Sequence, residues 1–170
     1  MNDMPSRMSE VFLRPGEFYF GQGEVQVRTI LGSCIAITLW HPQRKIGGMC
    51  HFMLSRPQKI LTPNLDGRYA EDAVQLFLKH ITKYQTQVNE YQVKVFGGGN
   101  MFPEITKNSA NNIGQRNMQI ARELLREHHF RIHASHLGGI GYRRVILSLP
   151  TGEVWIYHNH QASPAAGEKF

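Results

Sequence analysis

Cysteine is scarce: the chain carries two in 170 residues, Cys34 and Cys50. No C-x-x-C pair occurs, which argues against a cysteine-rich zinc site. No apolar run is long enough to span a bilayer, so no membrane insertion is expected. The stretch "MNDMPSRMSE" lacks the apolar centre of a signal peptide. The expected compartment is therefore the cytoplasm, where two thiols stay reduced. No run of Lys and Arg forms a nucleic-acid or membrane tail. No basic stripe interleaved with stacking aromatics marks a nucleic-acid module, so no nucleic-acid partner is expected. No internal repeat or linker divides the chain.

What is present suits one folded domain. The hydrophobic fraction is 41% and the charged fraction 19%, as in globular proteins rather than disordered ones. The formal net charge of +6 favours acidic partners or simply solubility. The domain is expected over 11–160, with 1–10 and 161–170 as flexible ends. "EVQVRTI" (24–30) alternates and reads as a strand. "CIAITLW" (34–40) is rich in β-branched and aromatic residues and stops at Pro42. "IGGMCHFMLS" (46–55) is a third apolar strand. Strands this close in sequence predict antiparallel neighbours. Residues 68–84 show helical spacing, with Asp66 as the expected cap. A strand over 91–96 runs into "GGGNMF", and a second amphipathic helix covers 112–129, capped by Asn112. Three more strands are expected near 130–135, 143–149 and 153–158. The order βββαβαβββ, with strands at both ends, predicts a layered α+β domain of mixed, mostly antiparallel strands and two main helices.

Strand parity separates the two cysteines. Cys50 shares a face with Ile46, Gly48, Phe52 and Leu54, whereas His51 points to the opposite face. Cys50 therefore reads as a buried core thiol. Cys34 follows Gly32 and Ser33, where the chain leaves one strand and enters the next. Glycine permits a sharp bend there, and a nucleophile on such a bend can be exposed beside free backbone N–H groups. A histidine nearby would make its thiolate available. If strands 34–40 and 46–55 pair through the 41–45 turn, His51 falls within reach of Cys34. Thr29 could orient the imidazole; its parity with Val25 and Val27 equally allows a core threonine. Local signatures of Cys–His pairs do not transfer between families, so chemistry alone does not identify the site.

"TILGSCIAITLW" and "GGMCHFMLS", with "GGGNMF" at 97–102, "NIGQRN" at 112–117 and "GG" with a later arginine at 138–144 ahead of "PTGEVW", resemble the chemoreceptor glutamine deamidase (CheD) family. The blocks follow the family's order and span roughly residues 15–158. The resemblance implies hydrolysis of glutamine side chains on bacterial chemoreceptors to glutamate and ammonia. It implies Cys34 as nucleophile, His51 as base and Thr29 as the third member. Gly32 and Ser33 would shape an oxyanion or substrate-binding site. It implies no metal and no organic cofactor. The implied partners are the cytoplasmic helices of methyl-accepting chemoreceptors and a chemotaxis phosphatase. The alternative is a non-catalytic chemotaxis adaptor with a vestigial Cys34; retention of both Cys34 and His51 favours the enzyme.

Other features invite chemistry and have plainer readings. "GGGNMF" lacks the patterns of a phosphate loop, and Met101 and Phe102 read as core. Arg116 and Asn117 shape a pocket wall or serve structure alone. Arg143 and Arg144 point opposite ways, so at most one lines a given surface. The clusters "HHFRIHASH" (128–136) and "HNH" (158–160) read as histidines near strand ends rather than as a convergent metal site.

Overall fold

In the computed structural model, which describes residues 7–55, 64–105, 112–160 and 167–170, ten strands fall into two five-stranded sheets. The first sheet contains β1 (Ser9–Leu13), β3 (Val25–Leu31), β8 (Tyr142–Ser148), β9 (Val154–Asn159) and β10 (Glu168–Lys169), in the order β1-β3-β8-β9-β10. The second contains β2 (Phe18–Gln22), β4 (Ile35–His41), β5 (Ile46–Cys50), β6 (Gln92–Gly97) and β7 (Ile132–Leu137), in the order β2-β5-β4-β6-β7. The β1–β3 and β6–β7 pairs are parallel and the others antiparallel. With helices α1 (Ala70–Lys83) and α2 (Ile113–Glu127), this is the α+β class that the pattern of elements predicts.

Two cores hold the layers together. Ile35, Ile37 and Leu39 of β4 pack with Ile46, Cys50, Val93 and Val95 against Ala73, Val74 and Phe77 of α1 and Ala121 and Leu125 of α2. Between the sheets, Ala36, Met49 and Phe96 meet Val27, Leu31, Val145, Leu147 and Ile156. β4 is therefore buried on both faces, which is why its sequence is a nearly continuous apolar run rather than an alternating one. β3 has the second sheet on one face only and does alternate: Val27, Thr29 and Leu31 are buried, whereas Ile30 is exposed.

The structure differs from the sequence-based expectations in four places. β3 does not neighbour β4; it pairs with β1 and β8, because the bend at 32–34 carries the chain from one sheet to the other. The third strand ends at Cys50, beyond which only isolated bridges, Ile35 with Phe52 and Leu54 with Tyr69, continue the pairing. β1 and β2 escape the sequence pattern, and Ser9, Glu10, Glu168 and Lys169 lie in strands at segments expected to be loose ends. Such short edge strands depend on partners distant in sequence, so local periodicity says little about them. Asp66 does not cap α1. The N-cap is Tyr69, which makes no side-chain cap bond, and the Asp66 carboxylate instead accepts from Arg68 N and Nε, each at 3.0 Å. Asn112 does cap α2, accepting from Gln115 N at 3.2 Å. Among the described residues, no helix is long and apolar enough to cross a membrane.

Candidate active site

The β4–β5 register sets the geometry. Thr38 faces Met49 and Leu39 faces Gly48; Ile35 and Phe52 exchange two backbone hydrogen bonds of 3.0 Å. Continuing that register puts Ala36 opposite His51 and Cys34 opposite Met53. Directly opposed residues share a face, and so do alternate residues on one strand. Cys34 and His51 are therefore diagonal neighbours on the face turned toward the first sheet. Cys50 and Phe52 are turned toward the helices and lie in the core beneath them.

Thr29 comes to this face from β3, in the opposite sheet. Its Oγ1 lies 2.7 Å from His51 Nδ1 and donates to the Leu13 carbonyl at 2.8 Å. With the hydroxyl proton committed to Leu13, the oxygen lone pair receives the Nδ1–H of His51. In that arrangement Nδ1 carries the proton and Nε2 presents its lone pair. His51 is 2% exposed, and its Nε2 is buried without a partner among the described residues. The backbone of His51 is tied down as well, its carbonyl accepting from Gly16 N at 2.7 Å. Thr29 is fully buried, as a core threonine would be, and its hydroxyl also meets the imidazole.

Burial governs the charge states. It lowers the His51 pKa to about 4, with the Leu13 carbonyl and Glu17 opposing the shift. It raises the half-buried Cys34 thiol above its ordinary value. Both shifts favour the uncharged form of the group, the thiol at Cys34 and the neutral imidazole at His51. Cys50, wholly enclosed, is pushed up to about 12, again by desolvation first.

The bend carrying Cys34 is held by its carbonyls. Gly99 N–H donates to Gly32 O and Gly98 N–H to Cys34 O, both at 2.9 Å. Asn117 Nδ2 donates to Ser33 O at 3.0 Å. Gly97 adopts φ +115°, and a Cβ there would lie 2.1 Å from Cys34 O, so only glycine allows this approach. Among the described residues, no acceptor takes the backbone N–H of Ser33 or Cys34. A cavity of about 100 Å³ adjoins Ser33, lined by Met101, Phe102, Ile113 and Gly114. Met101 and Phe102 are 40% and 66% exposed rather than core: the glycine turn lifts them onto the rim of that cavity.

The remaining sequence candidates separate. Arg143 is buried, donating from Nε to His136 Nδ1 at 2.8 Å and from Nη2 to Gly138 O, whereas Arg144 lies over the Tyr157 ring on the outer face. The rings of His136 and His158 are 5.3 Å apart and those of His158 and His160 4.8 Å. Among the described residues, no cluster of His, Cys, Asp and Glu converges as metal ligands. Sequence reasoning misses the Leu13 carbonyl and the double bond of Asn117. The "NIGQRN" block is the only trace of the latter, and nothing local marks the former.

Residues 53–158 match the family described as CheD chemotactic sensory transduction. The matched region begins after Cys34 and His51 and so covers the frame rather than that pair. The chain is 44% identical over 156 residues to a probable chemoreceptor glutamine deamidase CheD of Dechloromonas aromatica, covering 92% of this chain and 91% of that protein. It is 43% identical over 155 residues to the protein so described in Pseudomonas fluorescens, covering 91% and 87%. It is 39% identical over 159 residues to one from Leptospira interrogans, covering 89% and 94%.

Proposed function

The chain belongs to the CheD chemotactic sensory transduction family, and from that premise we propose that it hydrolyses glutamine side chains on the cytoplasmic helices of chemoreceptors, with Cys34 as nucleophile, His51 as base and Thr29 orienting the imidazole. The observation that carries this reading is the buried Thr29–His51 hydrogen bond of 2.7 Å. It leaves an unprotonated Nε2 on the face that Cys34 shares. His41 Nε2 is likewise buried without a hydrogen bond; what supports the reading at His51 is that its Nε2 belongs to the face of Cys34 while its Nδ1 meets Thr29.

Burial favours the neutral form of both groups, and on this reading the thiolate forms during attack. Nε2 takes the thiol proton as Sγ adds to the glutamine δ-carbonyl. The backbone N–H groups of Ser33 and Cys34, with the chain bent at Gly32, suit the oxyanion that develops. The imidazolium gives its proton to the amide nitrogen, the C–N bond breaks and ammonia leaves a thioester. Nε2 then deprotonates a water that attacks the thioester carbonyl; collapse releases glutamate and returns the proton to the sulfur. Every proton taken is given back, and no metal or organic cofactor takes part. The formal charge of +6 suits acidic receptor segments, and the compartment is the cytoplasm.

The test is mass spectrometry of a receptor cytoplasmic fragment after incubation with the protein, together with ammonia release. Amide-to-acid conversion by the wild type and none by Cys34→Ala is the expected result. Conversion by Cys34→Ala would overturn the site. Binding of the fragment, or of a chemotaxis phosphatase, without conversion by the wild type would instead support an adaptor.

A further inference from the structure

Asn117 is 2% exposed, on the face of α2 turned to the sheet. Its single Nδ2 group donates to two carbonyls, Ser33 O at 3.0 Å and Met53 O at 2.8 Å. These carbonyls flank the candidate pair. Ser33 immediately precedes Cys34; Met53 stands opposite Cys34 in the strand register, two residues after His51. β5 ends at Cys50, and the Ile35–Phe52 bridge, with its two backbone bonds, is the last pair between the two segments; no further backbone bond between them follows among the described residues. One amide therefore joins the two segments just beyond their last backbone pair, Ile35 with Phe52.

The helix end that carries Asn117 is itself seated on the bend. A Cβ at Gly114 would lie 2.5 Å from Gly98 O, and Gly98 is the residue whose N–H holds Cys34 O. Gly114 and Asn117 are one turn apart and share a side of α2. Helix position, glycine turn and nucleophile bend are thus fixed to one another by contacts too short to tolerate a side chain.

We propose that Asn117 is a positioning residue that sets the separation of Cys34 and His51 by bridging the carbonyls of Ser33 and Met53. The proposal rests on the Cys34–His51 reading above and adds the residue that maintains its geometry. Asn117 touches neither reacting atom and acts only through the two segments it joins.

The test is a double-mutant cycle on the full chain that needs no receptor. Cys34 alkylation by iodoacetamide at neutral pH is followed by mass for wild type, Asn117→Leu, His51→Ala and the double variant, each at matched folded fraction. Leucine keeps the branching of asparagine, with bulkier methyl groups, and removes both donors. If the amide acts by holding Cys34 near the imidazole, Asn117→Leu slows alkylation roughly 10- to 100-fold when His51 is present. It then changes little when His51 is already alanine. Equal slowing in both backgrounds, or no slowing, overturns the proposal and reduces Asn117 to a structural residue. If Asn117→Leu does not fold, Asn117→Ser, which retains one donor on a shorter arm, carries the same cycle. In receptor-fragment hydrolysis, Asn117→Leu lowers kcat with KM little changed. A wild type that releases no ammonia overturns the proposed function and leaves the alkylation cycle interpretable; an additive cycle overturns the role of Asn117 and leaves the function standing.

Discussion

Cys34 and Cys50 lie on the same pair of strands and live in different environments. Cys50 ends β5 on the helix side, fully buried among Ile35, Phe52 and Phe77. Cys34 precedes β4 by one residue on the opposite face, half-buried at a bend whose N–H groups have no described acceptor. The same thiol is an inert apolar filler in one place and the proposed nucleophile in the other. What separates them is strand parity and the point at which the ladder stops, not the chemistry of sulfur.

Replacing each cysteine breaks the comparison most directly. Cys34→Ser is expected to lower ammonia release from a receptor fragment by about 10³-fold or more with an unchanged fold by circular dichroism. Cys50→Ala is expected to leave activity per folded molecule unchanged while costing about 1 kcal/mol of stability in a denaturant titration. Comparable activity losses at both would remove the distinction. His51→Gln keeps a polar group and removes the base, for an expected loss of roughly 10²- to 10⁴-fold in kcat.

Thr29→Val keeps the shape and deletes the hydroxyl. It should lower kcat by roughly tenfold, the worth of about one buried hydrogen bond, with Thr29→Ser restoring most of it. An undiminished Thr29→Val enzyme would make Thr29 a core residue only.

The smallest effect is on stability. The folded pKa of His51, about 4, lies below its ordinary value of 6.5. Between these values the unfolded chain binds a proton that the folded chain refuses, so stability falls as pH drops from 6.5 toward 4 and levels off below. This histidine accounts for at most roughly 3 kcal/mol. His136 and His158, also shifted down chiefly by burial, add to the slope with the same sign. Denaturation of wild type and His51→Gln at neutral pH and near pH 4.5 should show a shallower loss in the variant.

Sequence alone determined the elements with strong local periods. β4 is legible as a continuous apolar run, β3 by alternation, and α1 and α2 by helical spacing, because each has a buried face that its own residues encode. The parity that separates Cys50 from His51 and Arg143 from Arg144 is equally local, since adjacent strand residues must point apart. The tertiary structure alone decided what depends on distant partners. It placed β3 and β4 in different sheets, and it delivered the Leu13 carbonyl and the Thr29 hydroxyl to His51. It also set the direction in which Cys34 and His51 shift, toward their uncharged forms, since burial is the largest cause of each shift. Asn117 joins carbonyls 84 and 64 residues away in the chain. A hydrogen bond at that separation leaves no period in the sequence, because it is chosen by the packing of a helix on a sheet.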